Sequence, residues 1–222
     1  MDASVKRWVG YGGLVFVVLV VVASFVAPNN PDTNATAAKV VSFYHQHQGA
    51  YYFNSYVIVA AIIVGLAYFW YLREYLAEAT ASGRLLTVAF AGAVVFAVSG
   101  GLQAGTKFAL ADASHSGNIS GASMQTLNVL ENDLSVPITA AGTATFLLFT
   151  GIVIIRKGGL PRWLGWVAVV LAILSAPGFV GGLPTGLWVL IASITLIVTN
   201  RNAASTRPST PVATPASTAT DS

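Results

Sequence analysis

"NSYVIVAAIIVGLAYFWYL", Asn54 to Leu72, decides the fold class. The run contains no Asp, Glu, Lys, Arg or His. At 1.5 Å rise per residue it is long enough, as a helix, to reach across about 30 Å of hydrocarbon. Aromatic residues bracket it: Tyr51, Tyr52, Phe53 and Tyr56 at one end, Tyr68, Trp70, Tyr71 and Tyr75 at the other. Rings with an apolar body and a polar edge collect at the two headgroup levels of a bilayer, and this spacing matches both.

The rest of the 222-residue chain agrees, with 55% hydrophobic and only 9% charged residues. A soluble domain carries about a quarter charged residues, so most of this surface must face lipid. Five further segments are candidate spans: Val9–Ala27, Leu85–Thr106, Leu134–Ile155, Trp163–Pro177 and Pro184–Thr199. The expected fold is therefore all-α, a polytopic transmembrane helix bundle of six spans. It occupies residues 1–199, with outer loops at 28–53 and 112–133, followed by a tail at 200–222.

Two alternatives stay open. The last two spans are short and separated by "PGFVGGLPTG" (Pro177–Gly186), which suits four spans plus a re-entrant hairpin equally well. Both versions return the chain to the same side. The first span, with "KRWVGYGGLVFVVLVVVASFVA" at Lys6–Ala27, has the basic flank and apolar run of a signal peptide; cleavage after Ala23 would leave five spans.

Charge sets the orientation. Lys6, Arg7, Arg73, Arg84, Arg156, Lys157, Arg162, Arg201 and Arg207 share one side of the six-span arrangement, and only Lys39 and Lys107 fall on the other. Basic residues in short loops stay cytoplasmic. The expectation is a multi-pass protein of the cell membrane with both termini cytoplasmic. The tail, "RNAASTRPSTPVATPASTATDS", is rich in Ser, Thr, Pro and Ala and nearly lacks large apolar side chains, the composition of a disordered segment.

The net charge of +3 is small and dispersed, which argues against nucleic acid as a partner. The absence of cysteine excludes disulfides, iron–sulfur clusters and thiolate metal sites. No ionisable residue lies in the middle of a span, whereas pumps and proton-coupled transporters need such groups. HExxH, GxSxG and Walker patterns are missing, and Thr139, Thr143, Thr145 and Thr150 lack a partner base in sequence. Neither catalytic residues nor a cofactor are expected.

Three features remain. His45 and His47 in "YHQHQ" lie two apart in a helical context, so their rings point about 200° apart and do not chelate together. With His115 in the other outer loop they make no closed metal motif. Gln103 and Lys107 share a helix face near the outer end of the third span, and Glu131 and Asp133 precede the fourth on the same side. A Lys107 contact with Glu131 or Asp133 would line an outer polar vestibule. Finally, Ala89, Ala93, Ala97, Gly101 and Gly105 form a four-residue stripe in the third span, and Ala168, Ala172 and Ala176 repeat it in the fifth. Small residues let backbones approach, so both read as packing faces.

"AKVVSFYHQHQGAYYFNSYVIVAAIIVGLAYFWYLREYL" (Ala38–Leu76) and the later "LPRWLGW" (Leu160–Trp166) resemble an uncharacterised family of bacterial six-span integral membrane proteins, a domain of unknown function. That family carries no established activity or binding residues, so the resemblance implies topology alone. The first expectation is a non-enzymatic protein that packs with itself or another membrane protein, and the alternative is one that binds or moves a small neutral or amphipathic molecule through an outward vestibule. A third reading, a membrane enzyme using the outer His and carboxylate residues, has the missing motifs against it. The lipid bilayer is the partner in each case.

Overall fold

The computed structural model describes residues 3–117, 119–175 and 182–205, with side chains within Val9–Thr199. The tail beyond Ser205, Ala176 and residues 177–181 lie outside the described residues. The elements are α1 (Ala3–Val26), α2 (Ala37–Gln46), α3 (Gln48–Thr80), α4 (Gly83–Ser116), α5 (Gly121–Lys157), α6 (Arg162–Ser175) and α7 (Leu183–Ser205). Among the described residues there is no strand. Four helices, α1, α3, α4 and α5, are long and apolar enough to cross a membrane. Two shorter apolar stretches follow, Arg162–Ser175 and Leu183–Thr199.

Local chemistry sets the helix ends. Thr36 and Ser120 have extended backbones and accept from the amides of Lys39 and Ser123, satisfying first-turn donors of α2 and α5. α4 stops at Gly117, whose φ of 64° is a left-handed C-cap that glycine adopts without strain.

α3, α4 and α5 run for 33, 34 and 37 residues. At 1.5 Å per residue they are about 50–55 Å long, roughly 20 Å more than the hydrocarbon core needs. In α4 and α5 the surplus lies mostly at the end of the two expected outer loops, whereas α3 runs six residues before Asn54 and eight beyond Leu72. Region 28–53 holds α2 and the start of α3, and region 112–133 holds the end of α4, to Ser116, and the start of α5, from Gly121. These extensions have something to bury. Leu110, Ala111 and Ala113 of α4 and Met124 of α5 close around Val40 and Tyr44 of α2 and Tyr51 of α3. This second apolar core, outside the main one, forms a cap.

The main core joins Phe16, Tyr68, Phe69, Phe146, Leu147 and Trp188 with residues from every helix except α2. α1 packs on α3, α3 on α4, α4 on α5, α5 on α6, α6 on α7, and α7 returns to α1. The chain thus closes a ring of helices, with α2 laid over α4 and α5. This antiparallel order gathers Arg73, Arg84, Arg156, Lys157 and Arg162 towards one end and leaves Lys39 and Lys107 towards the cap.

Close approaches occur at two glycine pairs. A Cβ on Gly92 would lie 2.5 Å from the Phe146 backbone nitrogen, and one on Gly142 would lie 2.5 Å from that of Phe96. Gly151 and Gly165 do the same for α5 and α6, each 2.7–2.9 Å from the other's carbonyl oxygen by that measure. The expected α4 stripe divides. Ala89 and Ala93 are buried, Ala97 is half-buried, and Gly101 and Gly105 are exposed. A four-residue step advances about 40° round a helix of 3.6 residues per turn, so the stripe swings roughly 160° between Ala89 and Gly105. It leaves the packed face before reaching the cap. Ala168 and Ala172 of α6 are buried.

Candidate functional site

Between the two cores lies a polar layer, built where α1 ends and α3, α4 and α5 pass from membrane bundle to cap. Lys107 of α4 forms an ion pair with Glu131 of α5 at 3.8 Å; 18% of the lysine side chain is exposed and only 4% of the glutamate. The second Glu131 oxygen accepts from the Asn30 amide, which also donates to Asn132 Oδ1 at 3.3 Å. Tyr51 donates to Asn30 Oδ1 at 2.9 Å and lies 2.8 Å from the carbonyl of Pro28. Asn54, fully buried, donates to the carbonyl of Ala23 in the last turn of α1, where helical partners run out. Its Oδ1 accepts from Lys107 Nζ at 3.5 Å.

A second set fastens the segment before α2. Tyr44 donates to Asn128 Oδ1 at 2.9 Å, and the Asn128 and Asn132 amides both donate to Pro31 O, at 3.0 and 3.2 Å. Burial, then the neighbouring Tyr51 and Glu131, push the Tyr44 phenol far above its usual range, so it stays a donor. One step deeper, Ser99 of α4 meets Thr139 of α5 at 2.6 Å and donates to the carbonyl of Ser135 at 3.0 Å.

Beneath this layer is a cavity of about 250 Å³ between α1, α3 and α4. Its walls are largely apolar, with Phe16, Phe69 and Phe96 among them, and Gly182 and Leu183 at the start of α7 also line it. Gln103 and Lys107, one turn apart, are its strongly polar lining residues and occupy the end nearest the cap.

The expected outer cluster therefore meets in part. Lys107 and Glu131 are paired, and Gln103 and Lys107 line the same cavity. Asp133 is exposed and sits outside the network. His45 is exposed and lies 3.3 Å by Nδ1 from the Ser114 carbonyl; His47 is 2.8 Å from the Phe43 carbonyl at the α2–α3 junction. His115 is exposed too. Among the described residues no three His, Asp or Glu side chains gather as a metal site.

Sequence reasoning missed the uncharged partners: Asn30, Asn54, Asn128 and Asn132, with Tyr44 and Tyr51. A signal for two of them existed. Asn128, Glu131 and Asn132 recur at helical spacing on one face together with Met124, while Leu130 lies on the opposite side. Comparison of the chain with protein-family models, with curated proteins and with solved structures found no match.

Proposed function

We propose that this is a non-enzymatic, multi-pass protein of the cell membrane that holds an amphipathic molecule in the cavity between α1, α3 and α4. The carrying observation is a largely apolar cavity whose strongly polar lining residues, Gln103 and Lys107, lie one turn apart on α4. Ligand sites are concave, mostly apolar and oriented by a few polar groups, and this lining has that composition. The polar layer and cap lie over the end of the cavity that carries Gln103 and Lys107. Its position supports the vestibule expectation over a purely packing role.

The proposed topology is six spans with both termini cytoplasmic, as in the six-span family the sequence resembles. The end bearing Arg73, Arg84, Arg156, Lys157 and Arg162 faces the cytoplasm. A second reading keeps its own support: Gly101 and Gly105 lie exposed on α4, where another copy or another membrane protein could pack closely.

The test is to purify the protein in mild detergent and identify co-purifying amphiphiles by mass spectrometry. Ala97→Leu adds bulk to the cavity wall. A stoichiometric amphiphile in the parent, lost in that variant, is the expected result. Equal content in both would sink the cavity reading.

A further inference from the structure

We infer that the occupant of this cavity carries an anionic head group, a carboxylate or phosphate, on an apolar chain, with Lys107 and Gln103 as its receptors; this rests on the cavity reading above. The argument starts from donors left under-used. An ammonium group offers three N–H donors and no acceptor. The neighbours of Lys107 Nζ are Asn54 Oδ1 at 3.5 Å and Glu131 Oε1 at 3.8 Å, both at or beyond the outer limit of a hydrogen bond. Glu131, by contrast, is already engaged through its other oxygen by Asn30. The side chain of Gln103, one turn below on the same face, makes no hydrogen bond among the described residues, and its amide offers two more donors.

Two side chains with spare donors thus share one end of a cavity whose remaining walls are largely apolar. An anionic oxygen between them gains charge-assisted bonds, which are shorter and about twice as strong as neutral ones. The chain then lies along the α3 face towards Phe69, between Phe16 and Phe96. Glu131 is the internal competitor. Its carboxylate neutralises Lys107 while the site is empty and opposes a second anion when it is filled. The two residues therefore act in opposite directions on binding: Lys107 attracts the head group and Glu131 weakens that attraction.

The probes are oleate and oleyl alcohol, equal in chain and different in charge, titrated against the purified full-length protein in detergent. Oleate is expected to bind more tightly than the alcohol. Glu131→Gln should tighten oleate about tenfold and leave the alcohol unchanged. Lys107→Gln should weaken oleate by roughly thirtyfold or more, the scale for truncating one partner of a buried charge pair. Lys107→Gln combined with Glu131→Gln leaves no buried charge unpaired, so it serves where the single variant fails to fold; it should bind oleate and alcohol alike. Equal affinities for both probes, unmoved by Glu131→Gln, would overturn the anionic head group while leaving the cavity reading intact. Failure of the parent to bind either probe overturns both.

Discussion

Gly92 of α4 and Gly142 of α5 face each other so closely that a Cβ on either would lie 2.9 Å from the other's carbonyl oxygen. No rotamer relieves such a contact, because its partners are backbone atoms. Gly92→Ala is expected to cost about 1–3 kcal/mol through overpacking, read as a lowered midpoint of thermal unfolding in detergent. Gly101→Leu, on an exposed position whose nearest neighbour is Ile62 at 4.0 Å, is expected to stay within about 0.5 kcal/mol of the parent. The opposite ranking would place the helix crossing elsewhere.

The Lys107–Glu131 pair makes a separate stability prediction. Lys107→Ala leaves a nearly buried carboxylate with Asn30 as its hydrogen-bond partner. The expected loss is about 3 kcal/mol, the low end for breaking a buried pair, because Lys107 retains some solvent. Adding Glu131→Gln should recover much of it. A double variant no better than Lys107→Ala would show that the lysine stem, not its charge, carries the effect.

Tyr44 governs the cap. Tyr44→Phe strands the buried oxygen of Asn128 and should cost about 1–2 kcal/mol. The phenol's raised value also predicts a pH dependence. Below about pH 10, the value for a free phenol, Tyr44 is protonated in folded and unfolded chains and the pairing is fully present. As pH rises above that, the unfolded chain alone ionises and stability falls. Hydrogen exchange of α2 should accelerate above pH 10 in the parent and less in Tyr44→Phe; equal acceleration would assign the titration to another group.

The proposed orientation predicts reporter positions. Fusions after Ala79 and Gly158 should read cytoplasmic, and fusions after Asn34 and Ser116 external. Reversal of Ala79 and Ser116 together would invert the charge argument.

Much of this architecture is written in residue types. The run from Asn54 to Leu72 implies a spanning helix through length and composition alone, whereas the caps at Thr36, Ser120 and Gly117 emerge only with the structure. The polar layer was half legible. Lys107 and Glu131 drew notice because charge is rare near lipid, whereas Asn30 and Asn54 are uncharged, and their partners lie on other helices. Distances of that kind depend on which faces meet. The α4 stripe shows why faces are hard to read: a four-residue repeat looks straight in sequence but winds round the helix, so Gly92, one step off the repeat, makes the contact. The cavity was legible only as a pair of polar residues on one face, since its walls come from three helices.

The closure of the ring by α1 and α7 bears on how the protein is made. A Cβ on Gly10 of α1 would lie 2.6 Å from the side chain of Ile197, so the first helix is shaped to receive the last. At about 5–20 residues per second, translation from Gly10 to Ile197 takes on the order of ten to forty seconds. Through that interval α1 can pair with α3 but waits for its other neighbour. Chains halted before α7 should therefore present an unsealed α1 to the insertion machinery, and a separately expressed α7 should be able to join them.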